Sequence, residues 1–349
     1  MSIVSGNTSN MVEDADAIAD LLNNGNFEIV QRDTINASSK TKGRDIYKSD
    51  PDILIVVGSD RTLLNALLSM GEESIPTLPV ASRGHPGFLF DVTSSDFEQV
   101  LDDLSENRWT EDRRTRFFAT IGKRRTPAFL NEIAIFPRRS ATLLRYSLFL
   151  DDEEFWQDGS DGLIISTPTG STAYAMSGGG PIVLHPAKVL NIVSVNSGNP
   201  ARKPLVVSEE VRVDIRNLTS SVAIDAVIDG QTRIPIKNAD VTVLRSPSDA
   251  IFVKFAEERV AAIQGKLMRK TEVRDEKTSE LPPSAKLVLK VLEYQGSMTQ
   301  KRIIEETNLP SRTVRYALSL LVSEALVRKQ ISLRDSRQAL YSIKETKET

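Results

Sequence analysis

The first hundred residues alternate short apolar runs with amphipathic stretches. Ile3-Val4 predicts a short strand, Val12 to Leu22 spaces its apolar residues helically, and Phe27 to Val30 predicts a second strand. Residues 32–49 are polar and read as a loop. Asp52-Ile53-Leu54-Ile55-Val56-Val57 then gives a continuous apolar run, the pattern of a central parallel strand buried on both faces. Gly58-Ser59-Asp60-Arg61-Thr62 follows, and Leu63 to Leu68 predicts a helix. From about residue 100 the period changes. Thr115–Ile121, Ala128–Phe136, Leu143–Leu150, Ala187–Val195, Val211–Ile215, Ala223–Ile228 and Val241–Val243 read as strands separated by short turns, an all-β region. Leu163-Ile164-Ile165 is a buried strand within it, and Ile251 to Phe255 is a late strand candidate.

Beyond Lys266 the pattern changes again. Residues 266–283 are polar, end in Leu281-Pro282-Pro283, and read as a linker. Ser284 is expected to cap a helix carrying Leu287, Val288, Val291 and Leu292; Thr299 caps a short second one with Ile303 and Ile304. Asn308-Leu309-Pro310 makes a turn, and Ser311 caps a third helix from Arg312 to about Ala325. Strands at Val327–Leu333 and Ala339–Ile343 follow, joined by Arg334-Asp335-Ser336-Arg337-Gln338.

Composition narrows the function classes. At 349 residues the chain is long for one core and implies two or three domains. Its 40% hydrophobic and 26% charged residues are those of an ordinary globular protein. No apolar run approaches the ~18 residues needed to cross a bilayer. The N-terminus lacks the basic region and apolar core of a signal peptide, so a cytoplasmic protein is expected. The absence of cysteine argues against disulfides, iron–sulfur clusters, thiol catalysis and a Cys-based zinc site. With His85 and His185 the only histidines, neither a zinc site nor a Ser-His-Asp triad is expected. Residues 266–349 hold 17 basic against 11 acidic side chains, whereas residues 1–265 hold 27 against 36. An acidic body with a basic tail domain implies an anionic partner for the tail.

Two stretches carry candidate chemistry. Gly58 to Thr62 joins a parallel strand to a helix N-terminus, the usual setting of a phosphate or ribose site. Asp60 there is either a base for a ribose hydroxyl or merely the helix N-cap. Arg61 either intrudes on the site or brings positive charge to a phosphate. The second stretch is Asp161 to Val183, DGLIISTPTGSTAYAMSGGGPIV. Its hydroxyls are punctuated by Pro168 and Gly170, and such a turn is expected to aim backbone N–H groups and side-chain oxygens at one point. Tyr174 adds a flat face for a base. An ordinary Ser/Thr-rich surface loop is the alternative, disfavoured by the length of the run and by Gly178-Gly179-Gly180-Pro181.

The Asp161–Val183 stretch resembles the signature loop of NAD kinases, which phosphorylate the adenosine 2′-hydroxyl of NAD. Gly58-Ser59-Asp60-Arg61-Thr62 resembles that family's Gly-Gly-Asp-Gly-Thr turn, with Ser59 and Arg61 in place of two glycines. Ser82-Arg83-Gly84-His85-Pro86-Gly87-Phe88-Leu89 resembles its Asn-x-Gly-x-x-Gly-Phe-Leu segment, with Ser82 for asparagine and His85 a loop residue. Asn131-Glu132 and Arg202-Lys203-Pro204 match further elements; Asp229-Gly230-Gln231 resembles the family's late β-domain turn or is a plain hairpin turn; Asn196 to Pro200 departs from the pattern. The resemblance spans roughly residues 50–260. It implies an α/β nucleotide-binding domain over 1–100, to which 250–265 return, and an all-β NAD-binding domain over 101–249. It implies ATP with Mg2+, or polyphosphate, as donor and NAD as substrate, with no protein-held metal. Asp60 would be the base; Gly58, Ser59, Arg61 and Thr62 the phosphate loop. Asn131, Glu132, Asp161, Thr169, Thr172, Ala173, Tyr174 and Ser177 would contact NAD. A homo-oligomer, dimer or tetramer, is also implied. The altered glycines, Ser82, and Ala175 where asparagine is usual motivate an alternative, a transcription regulator that senses NAD or NADP without turnover. A related lipid or sugar kinase ranks below both, because Asn131-Glu132 and TPTGSTAY discriminate against it.

The segment 284–349 resembles the winged helix-turn-helix domains of prokaryotic regulators. The resemblance implies double-stranded DNA as partner, with Arg312, Thr313, Arg315 and Tyr316 on the recognition helix and Arg334 and Arg337 at the wing tip. Such small domains also serve as dimerisation modules.

Overall fold

The computed structural model describes residues 1–35, 51–85, 87–255, 264–266, 281–295, 298–307, 309–324, 326–331 and 339–343. It divides into two compact units, Met1–Glu257 and Glu258–Thr349.

The first unit begins with a twisted, mostly parallel sheet. Its strands are β1 (Ser2–Gly6), β2 (Gln31–Ile35), β3 (Leu54–Gly58), β4 (Thr77–Ala81), β5 (Val92–Thr93) and β6 (Thr110–Arg114). The order is β2-β1-β3-β4, and a late strand, described below, joins on to β4. Every residue of β3 is buried, as its unbroken apolar run predicts. Helix α1 (Ser9–Asn24) covers one face through Ala15, Ile18, Ala19 and Leu22. Helix α2 (Asp60–Met70) covers the other through Leu63, Leu64, Ala66, Leu67 and Met70. A short α3 (Leu101–Ser105) packs Leu104 beside the α1 residues.

Two six-stranded antiparallel sheets follow and pack face to face. The strands are β7 (Phe117–Ile121), β8 (Arg124–Arg125), β9 (Glu132–Pro137), β10 (Leu144–Leu150), β11 (Glu153–Ser160), β12 (Gly162–Ser166), β13 (Val189–Val195), β14 (Leu205–Ser208), β15 (Val213–Thr219), β16 (Ile224–Ile228), β17 (Thr232–Ile236) and β18 (Val241–Arg245). One sheet runs β11-β10-β15-β18-β7-β8 and the other β14-β13-β12-β9-β16-β17. Their facing side chains, among them Phe117, Ile133, Leu148, Ile165, Ile192 and Val243, form one core. After this sandwich, β19 (Ala250–Lys254) returns to the first sheet, parallel to β4 and antiparallel to β6. Arg116, fully buried, stitches the halves by donating to Gly71 O, Glu73 O and Ser248 O at 3.0–3.2 Å.

Three expectations change here. The second strand is Gln31–Ile35, not Phe27–Val30: Phe27 and Ile29 pack beneath the α1 core while the polar segment pairs as an edge strand along β1. An edge strand needs little apolar sequence, so the apolar residues mark packing and not pairing. The change to all-β comes after residue 114, because β6 pairs with β19. Strands β4, β5, β6, β8, β11 and β17 have no counterpart in the reading of the sequence; β11 is largely exposed and polar, and β17 carries Pro235.

A four-residue α4 (Tyr174–Ser177) belongs to the first unit; the described residues of the second include α5 (Pro283–Gln295), α6 (Gln300–Thr307) and α7 (Ser311–Ser323). A three-stranded sheet accompanies them, ordered β20 (Met298–Thr299), β22 (Ala339–Ile343), β21 (Val327–Ile331). Ala285, Val288, Leu292, Ile303, Val314, Leu318 and Leu321 form its core. The residue before α5 is not Ser284, since Pro283 already opens the helix, where proline's missing N–H costs nothing. Pro310 stands before α7 and Ser311 lies within it. Thr299 does accept from Arg302 N–H, at 3.4 Å. Arg334, Arg337, Ala325 and most of 266–283 lie outside the described residues. No described helix is long and apolar enough to cross a membrane.

Candidate functional site

The site begins where β3 and β4, parallel neighbours, end. Ser59, extended, precedes α2, and its N–H donates to Thr62 Oγ1 at 3.3 Å. Ser59 therefore stands at the N-cap, and Asp60 is not the cap. The Asp60 carboxylate instead faces the loop after β4, accepting Phe88 N–H at 2.9 Å on one oxygen and Leu89 N–H at 3.0 Å on the other. Each carboxylate oxygen has a second lone pair, so this arrangement fixes the group and leaves acceptor capacity for a hydroxyl. Gly87 makes the approach possible: a Cβ there would stand 2.7 Å from Asp60 Oδ1 and 2.2 Å from the Phe90 ring. Gly58 is similarly constrained, since a Cβ would meet Thr62 Oγ1 at 2.5 Å.

The same loop is anchored from behind by Asp14. Its carboxylate accepts Ser82 Oγ–H at 2.6 Å, Arg83 N–H at 2.9 Å, Arg83 Nε–H at 2.6 Å and Ser94 Oγ–H at 3.1 Å. Burial pushes this carboxyl up, but the donors outweigh it and hold the pKa below the ordinary value. Sequence reading missed Asp14; its signal is an acidic residue on the core-facing side of α1, between Met11 and Ile18. Ser82, at the expected asparagine position, is with Arg83 the loop's contact to this anchor.

The third element is the segment before β9. Leu130, Asn131 and Glu132 N–H groups all donate to the Asp229 carboxylate, at 2.9, 2.8 and 3.0 Å. Asp229 is buried, and burial raises its pKa to about 6 against the lowering effect of those three donors. It sits in the turn between β16 and β17. The next residue but one, Gln231, accepts Arg61 Nε–H at 3.1 Å on its Oε1. Arg61, exposed, thus reaches from α2 to the sandwich.

The fourth element is the turn after β12. Two of its hydroxyls, those of Thr167 and Ser171, bond within the protein. Thr167 Oγ1 donates to Leu130 O at 2.5 Å and accepts Gly170 N–H at 3.0 Å. Ser171 Oγ donates to Pro168 O at 2.7 Å and accepts Val183 N–H at 2.9 Å, and Ala173 N–H returns to Gly170 O at 2.8 Å. These bonds hold the shape of the turn. Gly170 is its tightest point: a Cβ would lie 2.1 Å from Asn131 O. Thr169 and Thr172 are buried, Ala173 is half-buried, and Tyr174 and Ser177 are exposed. The Tyr174 ring stacks on Phe136 with centroids 5.6 Å apart. Ala175 is buried against Ala134, Ile164 and Val193, where an asparagine would need a polar partner.

Asp161 lies at the other end of β12, about 17 Å along a five-residue strand from the turn, and accepts Asn196 Nδ2–H at 2.9 Å. The structure therefore groups Gly58 to Thr62, Asn131, Glu132 and Thr169 through linked turns, with Tyr174 following on, and sets Asp161 apart. In the second unit, Arg312, Arg315 and Tyr316 are exposed along the first turns of α7, opposite buried Val314, Ala317 and Leu318; Thr313 is half-buried.

Comparison with known proteins gives a consistent result. Residues 10–109 match the family model of the ATP-NAD kinase N-terminal domain, and residues 130–255 that of the ATP-NAD kinase C-terminal domain. The chain is 34% identical over 194 residues to the NAD kinase of Marinomonas sp. (strain MWYL1), covering 54% of this chain and 66% of that one. It is 32% identical over 227 residues to the NAD kinase of Methanothermobacter thermautotrophicus, covering 65% and 80%. Among solved structures, an NAD kinase from Archaeoglobus fulgidus in complex with ATP superposes with a TM-score of 0.64 at 24% identity, over 76% of this chain and 98% of that one.

Proposed function

The chain belongs to the NAD kinase family of phosphotransferases, and we propose that it transfers a phosphoryl group from ATP, or from polyphosphate, to the adenosine 2′-hydroxyl of NAD. The observation that carries this reading is Asp60: a carboxylate at a helix N-terminus, fixed by two backbone N–H groups and still able to accept a hydroxyl proton. As the donor's phosphorus is attacked, the O–H bond of the acceptor breaks toward Asp60 and a new P–O bond forms; the remaining phosphates leave. Such a transfer asks for positioning and charge neutralisation more than for covalent chemistry. Mg2+ would enter as part of the donor substrate. The chain's own contribution at the phosphates is the positive end of α2, with Gly58, Ser59, Arg61 and Thr62.

Asn131 and Glu132 would bind the acceptor's adenosine, and Thr169, Thr172, Ala173, Tyr174 and Ser177 would line its approach. Tyr174, one face of its ring stacked on Phe136, would add its outer face to a base. Asp161 would contact a more distant part of the dinucleotide. For the C-terminal unit, the exposed Arg312, Arg315 and Tyr316 on α7 favour a winged helix-turn-helix that reads DNA.

The test is NADP formation by the purified full-length protein with NAD, Mg2+ and ATP or polyphosphate. Turnover supports the kinase reading. NAD or NADP binding by calorimetry without turnover would replace it with the nucleotide-sensing regulator.

A further inference from the structure

The turn that carries Gln231 is a rigid mount. Asp229 and Gly230 both sit at positive φ, 47° and 66°. Gln231 N–H closes on Ile228 O at 2.8 Å, in a tight turn of three residues between paired Ile228 and Thr232. The turn is also clamped from its other side. Asp229 holds the N–H groups of Leu130, Asn131 and Glu132, and its own N–H donates to Glu132 O at 2.9 Å. Gln231 is therefore fixed relative to Asn131 and Glu132. Facing it is Arg61, the second residue of α2 and the neighbour of Asp60, bonded to Gln231 Oε1 at 3.1 Å.

We propose that Arg61 is a positioning residue that latches the phosphate loop to the acceptor-holding segment through Gln231, and so couples occupancy of the donor and NAD sites; this rests on the kinase reading above. A glycine at this position would allow close approach of a phosphate but would span nothing. Arginine carries five donors in a planar fork, so it can hold an amide oxygen and phosphate oxygens together. Gln231 is neutral, so its bond satisfies a donor without cancelling the charge that attracts the donor substrate. The path from Arg61 through Gln231 and Asp229 to Asn131 and Glu132 is made of hydrogen bonds with one rigid turn at its centre. Spacing between Asp60 and the bound ribose is set by that path.

The experiment is a double-mutant cycle on the full-length protein, varying NAD and MgATP separately. Gln231→Ala should lower kcat/KM roughly ten-fold, the scale of one charge-assisted hydrogen bond, and Arg61→Ala by more, since it also removes the charge that meets the donor's phosphates. The double variant should be no worse than Arg61→Ala alone, since both changes open one latch. Arg61→Lys, which keeps the charge and loses the fork, should recover the KM for MgATP but not the KM for NAD. Multiplicative losses, an unaffected Gln231→Ala, or joint recovery of both KM values by lysine would overturn the latch. If the unmodified protein forms no NADP, the kinase reading fails separately. The latch is then read by calorimetry with NAD: equal, non-additive weakening in the two single variants supports it, and unchanged affinity overturns it.

Discussion

At the scale of single residues, two carboxylates do different work. Asp60 is held in place by Phe88 and Leu89 N–H groups. Asp60→Asn keeps one acceptor oxygen and loses the proton sink, so turnover should fall by roughly two to four orders of magnitude while NAD affinity changes by no more than a few-fold; unchanged turnover in a coupled NADP assay would remove Asp60 as the base. Asp229 is buried beneath three N–H groups, with its pKa raised to about 6 by burial. A carboxyl whose folded pKa exceeds its unfolded value binds its proton more tightly when folded. Its stabilising contribution is complete below pH ~4 and lost as pH rises through about 6. Asp229→Asn removes that titration and turns an amide N–H toward a backbone N–H, at a cost of about 1–3 kcal/mol. Denaturant melts from pH 4 to 8 should show wild-type stability falling through this window relative to the variant, while the variant is the less stable of the two at pH 8. A constant difference across the range would refute the assignment. Neither role was fully legible in the chain. Asp60 stood out because a strand, a turn and a helix surround it. For Asp229 the chain shows a turn, the family's or a plain hairpin, but not its bonds, because its partners lie about a hundred positions away and nothing local marks them.

At the scale of elements, the turn after β12 shows what sequence conveys and what it hides. Its strand, its break at Pro168 and its length are legible because apolar runs and Pro/Gly punctuation are local signals. The direction of its hydroxyls is not, because Thr167 and Ser171 choose partners on Leu130 and Val183, which only the folded sheet brings near. The same limit explains β2: a polar edge strand follows an apolar connector, and the connector carries the louder signal. Gly170 ties the turn to the Asn131 segment, and the fit is testable. Gly170→Ala puts a methyl 2.1 Å from Asn131 O, against backbone that Asp229 holds in place. Overpacking of this kind costs about 1–3 kcal/mol. The melting temperature should drop and NAD affinity should fall together, because the displaced carbonyl belongs to the acceptor segment. Alanine tolerated in both measurements would mean that the two turns are not in contact. Gly179→Ala is the comparison: its added Cβ meets nothing within 4 Å, so any loss there reflects its positive φ alone.

At the scale of the whole molecule, charge separates the chain into unlike parts: residues 1–265 carry 36 acidic against 27 basic side chains, and the remainder 11 against 17. An acidic catalytic body repels nucleic acid, so DNA binding by this protein would have to come from the C-terminal part against that background. In that unit the apolar face of α7 is buried through Val314, Ala317, Leu318 and Leu321, and the turn bearing Arg312, Arg315 and Tyr316 is left exposed. A helix used only for packing needs no such basic, aromatic outer face. The expected outcome of Arg312→Ala with Arg315→Ala is weaker binding to mixed-sequence duplex DNA and a log-affinity against log-salt slope shallower by about 2, from two lost phosphate contacts. NADP formation should be unaltered, because neither arginine belongs to the proposed nucleotide site. A reduced affinity with an unchanged slope would place the two arginines on base edges and not on phosphates. Equal affinity at every salt concentration would take α7 out of DNA recognition and leave this unit as a pairing module, whose loss would then be read in the oligomeric state.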